Sequence, residues 1–260
     1  MTVLLVFFAI AYVLTWSLWF ASTGIASPIA RAVVFSLGVF VPGILSLAMT
    51  AWTGGKDGVA KLLRRLVEWD VSVRWYVFAA GYMFSIKVLA ALIHRAVFGV
   101  WPRFGDLPVG LLFGATAVSW LTGGQAGEEL GWRGFALPRL AATFGLGAAS
   151  VVVGVVWACW HLPLFFLPGF DTFDQSFPLY LVQVVAVSVA MAWLWGNTRR
   201  SLFLTMLLHA AVNNTKDIVP SADPAAASPW TLSHSAVAWI TVAALWASAA
   251  FFLRTMPKPS

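Results

Sequence analysis

The sequence is short of what a water-soluble domain needs. Only 10% of its 260 residues are charged, against roughly a quarter in an ordinary globular domain. With so few ionic groups the chain cannot cover itself with a hydrated surface, and most of its exterior must face something apolar. Cysteine is nearly missing as well. Cys159 stands alone, which excludes an intramolecular disulfide and any Cys-x-x-Cys metal or redox motif; set in an apolar run, it reads as a small buried hydrophobe. Acidic residues are outnumbered, 10 Asp+Glu against 16 Lys+Arg, for a net charge of +6. In a soluble protein that excess points to nucleic acid. Beside 60% hydrophobic residues and a mean hydropathy of +0.85, it reads instead as basic loops flanking membrane spans, with no nucleic-acid partner. Internal repeats and low-complexity tracts are absent.

What is present is a succession of long apolar runs. A span needs about 20 mostly apolar residues to cross a hydrocarbon core of ~30 Å, and eight segments qualify: 3–21, 31–52, 75–98, 109–137, 148–167, 177–196, 201–219 and 234–253. No Lys or Arg precedes the first run, so an anchor helix is expected there, not a cleaved signal peptide. The charges agree with this count. Lys56, Lys61, Arg64, Arg65, Arg74, Arg133, Arg139, Arg199, Arg200, Arg254 and Lys258 fall on one side of an eight-helix alternation. Arg31, Lys87, Arg95, Arg103 and Lys216 are scattered on the other side or within a span, where the acidic pair Asp171 and Asp174 also falls. The positive-inside rule then puts both termini in the cytoplasm. The expected fold is an all-α, polytopic transmembrane bundle of about eight spans, a single membrane domain over 1–260. Segment 56–68 is expected to form a basic amphipathic helix on the inner leaflet, and 220–230, rich in Pro, Ala and Ser, an exposed loop.

Ionisable groups inside spans cost roughly 2.5–3.5 kcal/mol each on insertion scales and call for an explanation. Three clusters stand out. The first is Glu128-Glu129-Leu-Gly-Trp-Arg133. Adjacent carboxylates lie about 100° apart around a helix, while Glu129 and Arg133 are i,i+4 with the acid first, the better pairing orientation. Glu129 and Arg133 are therefore expected to lock together, leaving Glu128 to point elsewhere as a group suited to proton transfer. Gly123, Gly127 and Gly131 recur every four residues, a smooth face on which another helix can pack closely. The second cluster, Trp157-x-x-x-His161, ends in Pro163; the third is His209-x-x-x-Asn213. A lone histidine in a span is more often a hydrogen-bonded core residue than a catalyst. Two of them with an Asn and a Glu pair, in three separate spans, alter that balance. Depth allows a meeting: counted from span ends at Pro138, Ser150 and Ser201, Glu128, His161 and His209 lie roughly 12–16 Å in.

In order and placement, Glu128-Glu129-x-x-x-Arg133, Trp157-x-x-x-His161 and His209-x-x-x-Asn213 resemble the three motifs of the type II CAAX-prenyl endopeptidases and their bacterial relatives, the CPBP or Abi intramembrane metalloproteases. The resemblance covers about 109–219, and Phe is usual where this chain has Trp157. It implies an intramembrane hydrolase in which Glu128 and His161 activate the attacking water, His209 and Asn213 stabilise the oxyanion, and Glu129, Arg133 and Trp157 support the site. The family has been described as metal-dependent. Glu128, His161 and His209 have the ligand types of a His₂Glu zinc site, and equally suit metal-free chemistry. A His-Glu-x-x-His zinc motif and a Gly-x-Ser-x-Gly serine signature are both absent. The competing readings are a proton-coupled transporter, which uses buried Glu, His and Arg but for which no inverted repeat is present, and a non-catalytic scaffold or immunity protein. The expected setting is a bacterial plasma membrane and the expected partners are a peptide or membrane-protein substrate and the lipid bilayer. Peptide maturation, bacteriocin-related processing and membrane-protein turnover are all open.

Overall fold

The computed structural model describes residues 1–123, 125–170, 172–173, 175–221, 228–230, 232 and 235–257. Asp171, Asp174, Lys258 and most of the 220–230 loop lie outside the described residues. All regular structure within them is helical: α1 (Thr2–Thr23), α2 (Pro28–Arg64), α3 (Val73–Phe98), α4 (Val109–Leu121), α5 (Ala126–Glu129), a π-helical stretch (Leu130–Ala136), α6 (Leu137–Trp160), α7 (Phe177–Asn197), α8 (Leu202–Thr215) and α9 (Ala236–Arg254). Among the described residues six helical segments are long and apolar enough to cross a membrane, and Val109–Leu121 is a shorter apolar helix. The polytopic helical bundle expected from composition is what the chain forms.

The expected spans fall on these helices with two corrections. Within 201–219 the α-helix covers only Leu202–Thr215, 14 residues, and is not among the segments long enough to cross. Segment 109–137 is not continuous. It stops at Leu121 and resumes at Ala126, and between them Gly123 takes φ +74°, a left-handed conformation that suits a residue without a Cβ. A second left-handed glycine, Gly145 at φ +77°, breaks 126–160 into two arms. Trp157 hydrogen-bonds Glu128, 29 residues earlier; on a straight helix the two would stand roughly 43 Å apart. The chain therefore folds back at Gly145 into a tight helical hairpin. Almost equal stretches of helix, roughly 25 Å each, separate that turn from Glu128 and from His161, so the two residues end level. α2 bends in the same way at Gly55, turning the basic 56–64 stretch so that Leu62 packs at Gly134.

Prolines inside helices remove a donor and free the carbonyl four residues back. In lipid that carbonyl needs another partner. Pro42 frees Gly38, whose oxygen accepts from Thr15 Oγ1 at 2.9 Å; Pro138 frees Gly134, whose oxygen accepts from Arg65 at 3.4 Å. The indoles of Trp19, Trp132 and Trp160 pack together, Trp160 lying 4.6 Å from Trp19 and 5.7 Å from Trp132, and Trp16 Nε1 donates to the Trp160 carbonyl. These contacts clamp α1 across the hairpin.

α2 is held closest. A Cβ on Gly131 would sit 2.6 Å from Pro42 Cβ and 2.9 Å from its backbone, and one on Gly127 would sit 2.9 Å from the Phe40 Cα. Two of the three glycines read as a packing face do this; Gly123 makes the turn instead. Gly131→Ala is expected to destabilise the protein by about 1–3 kcal/mol through overpacking against backbone. Gly114→Ala on α4, where a Cβ meets nothing within 4 Å, is expected to be neutral or stabilising. Thermal melts in detergent check both, and equal melting temperatures for the two variants would contradict this packing.

Candidate active site

The hairpin, α8 and α2 bring the three motif clusters together. Arg133 Nη1 donates to Glu129 Oε1 at 2.8 Å, and both side chains are fully buried. The same oxygen accepts from His209 Nδ1 at 3.0 Å, a contact across 80 residues that the i,i+4 spacing could not suggest. The Arg133 guanidinium lies over the Trp157 ring at 4.2 Å, a cation–π contact strengthened by exclusion of water. Its Nε and Nη2 have no hydrogen-bond partner among the described residues, so the indole face is what compensates them. Arg133 sits in the π-helical stretch, whose wider turn is a frequent feature of functional sites.

Glu128, on the next position around the helix, points away from this lock. Its Oε2 accepts from Trp157 Nε1 at 2.6 Å and lies 3.9 Å from His161 Nε2. The His161 ring is oriented by its other nitrogen, with Nδ1 2.9 Å from the Trp157 carbonyl. A carbonyl only accepts, so Nδ1 carries the hydrogen, and in the neutral ring Nε2 is the acceptor. Trp157 thus touches every part of the site: its N–H holds Glu128, its carbonyl holds His161, its face carries Arg133, and its ring edges His209 at 5.1 Å. A Phe at this position supplies no N–H.

Glu128, Trp157, His161, His209 and Asn213 all line one cavity of about 360 Å³. Asn213 follows His209 by one turn of α8 and is exposed towards it. Tyr180 and Lys87 line the cavity too. Tyr180 stands 5.7 Å from the His161 ring and lies outside all three motifs. Lys87 could have been found, since it is a cation in the middle of an apolar run.

The metal set considered from sequence is not assembled. Among the described residues no three of His, Cys, Asp and Glu form a group that could hold a metal ion. His209 and His161 give Nδ1 to Glu129 Oε1 and to the Trp157 carbonyl, bonds of the kind that also orient histidines in metal sites, and Glu128 Oε2 lies 3.9 Å from His161 Nε2.

Fold and site together describe a polytopic membrane protein with a buried carboxylate and an imidazole 3.9 Å apart on the wall of a cavity, beside an amide side chain. Comparison with known proteins shows what this chain is similar to. Residues 108–215 match the model of the family described as Type II CAAX prenyl endopeptidase Rce1-like. The CAAX prenyl protease 2 of Methanococcus maripaludis is 22% identical over 226 residues, covering 82% of this chain and 83% of that protein. The resemblance drawn from the three motifs, and the hydrolase class it implies, stand on both findings. The matched stretch contains Glu128, Glu129, Arg133, Trp157, His161, His209 and Asn213.

Removing one partner of a buried ion pair leaves an uncompensated charge. Arg133→Met is therefore expected to cost about 3 kcal/mol or more, seen as a large fall in melting temperature or loss of monodisperse protein. Glu128→Gln, one residue from the lock, is expected to leave the melting temperature nearly unchanged. An unperturbed Arg133→Met protein would contradict the structural role given to the pair.

Proposed function

We propose that this chain is an intramembrane endopeptidase that hydrolyses a peptide bond with water held between Glu128 and His161. The observation that carries the proposal is the 3.9 Å gap between Glu128 Oε2 and His161 Nε2, with both atoms accepting. A water about 2.8 Å from each would donate one hydrogen to the carboxylate and one to the imidazole, turning its lone pairs to the cavity. As its oxygen bonds to the substrate carbonyl carbon, Glu128 takes the proton, and it returns that proton to the leaving amine when the C–N bond breaks. The Trp157 N–H restrains the carboxylate in the position this requires.

The carbonyl oxygen becomes an oxyanion and needs donors fixed in advance. Asn213 supplies an amide N–H. His209 gives Nδ1–H to Glu129, so donation from Nε2 needs a second ring hydrogen. No step here passes through a metal. The basic loops support eight crossings of the plasma membrane with both termini in the cytoplasm, and 1–260 acting as one domain with its catalytic core near 109–219.

The test is cleavage of quenched peptides in liposomes by the purified protein, starting with a prenylated CAAX peptide, the substrate class in the relative's name. Glu128→Gln and His161→Ala are each expected to lower the rate by about 10²–10⁴, and Asn213→Ala by about 10²–10³. Trp157→Phe keeps the ring under Arg133 but loses the donor, and is expected to cost about tenfold. A chelator is expected to leave the rate unchanged. Full activity in both Glu128→Gln and His209→Ala would sink the assignment.

A further inference from the structure

Lys87 is a cation that the proposed chemistry does not use. It lies within α3, it is only 2% exposed, and it lines the same cavity as Glu128 and His209. Its Nζ donates to the Val219 carbonyl at 3.0 Å and to the Ser221 hydroxyl. Both acceptors are neutral. An ammonium has three N–H donors, so these bonds leave one over, at a wall of the cavity. No described carboxylate pairs with Lys87, and Asp217, which also lines the cavity, is held by Lys216 Nζ at 2.7 Å.

A strap from α3 to the 219–221 segment would need only a neutral donor. A buried charge is costly unless an opposite charge meets it, and no described carboxylate contacts Lys87 directly, Asp217 acting on it only from a distance. α8 joins this end to the reacting groups along one face. His209, Val212, Asn213 and Lys216 line the cavity in succession, at i, i+3, i+4 and i+7, a wall about 10 Å long. Much of the remaining lining is apolar, with Met83, Val184, Val187 and Leu245, alongside Gln175, Tyr180 and Gln183.

We propose that Lys87 is an anion subsite of this cavity, receiving a carboxylate of an otherwise apolar peptide while the scissile bond lies at Glu128. This rests on the reading of the cavity as a peptide site. Two sources carry the same group, the α-carboxylate of the peptide's C-terminus and an acidic side chain.

Binding separates them without turnover. The full chain in lipid nanodiscs, carrying Glu128→Gln to keep peptides intact, is titrated with three probes: acetyl-Leu-Ala-Leu-Leu with a free C-terminal carboxylate, the same peptide as its amide, and the amide with one Leu replaced by Glu. The free acid is expected to bind about tenfold more tightly than the plain amide, as a charge-assisted hydrogen bond requires. Lys87→Met is expected to abolish that preference, and Lys87→Arg to keep it. Tight binding of the Glu-containing amide assigns the subsite to any carboxylate; tight binding of the acid alone assigns it to the C-terminus. Equal binding of all three probes when Lys87 is present overturns the proposal, as does an acid preference that survives Lys87→Met. If Lys87→Met does not fold, the comparison of acid with amides in the Lys87 protein still decides. Because no cleavage is read, an inactive protein and a missing anion subsite are distinct results.

Discussion

Oε1 of Glu129 accepts from Arg133 and from His209 at once, and in doing so ties the helical hairpin to α8. Little else fixes the register between these two elements so tightly, because most contacts between them are apolar and would tolerate a slide. With Arg133 held by Glu129, its guanidinium covers Trp157, and Trp157 in turn holds Glu128 and His161 through its N–H and its carbonyl. The reacting groups are thus positioned by a chain of polar contacts that begins at one fully buried carboxylate. Such an arrangement is costly to dehydrate, and it persists because each charge has a partner of opposite sign or an aromatic face.

The surrounding lipid sharpens every one of these requirements. Irregular backbone at membrane depth survives only where protein or a cavity satisfies it. The break at Gly123 lies just before Glu128, and the cavity opens beside it. Close packing of Gly127 and Gly131 on α2 seals the opposite face. The broken helix ends the regular hydrogen-bond ladder between Leu121 and Ala126 and leaves the hairpin arms intact.

Much of this was legible in the sequence, and the missing parts share a cause. The bundle followed from the scarcity of charge, and the Glu129–Arg133 lock followed from i,i+4 spacing, because both are local properties. Gly123 was misread since its spacing to Gly127 matches a packing face; the run Gly123-Gly-Gln125 is the breaker signal that spacing obscured. The connection was placed between span ends at Pro138 and Ser150, whereas helix runs up to Gly145 from both sides, so the site lies farther from the turn than residue counting suggested. The meeting survived because both arms lengthened by similar amounts. The bond from Glu129 to His209 and that from Lys87 to Val219 and Ser221 join residues distant in sequence, and no periodicity carries that information. Trp157 was visible, but its importance depends on where one N–H points.

The central claim is that Glu128 and His161 act on the same water molecule. A double-mutant cycle on the single-turnover cleavage rate tests it most directly, with Glu128→Gln, His161→Ala and the combination measured on one reporter. Groups that act as a unit give strongly non-additive losses. The account predicts that the double variant is about as slow as the slower single variant. Losses that multiply would mean that the two residues act independently, and the shared water would have to be abandoned.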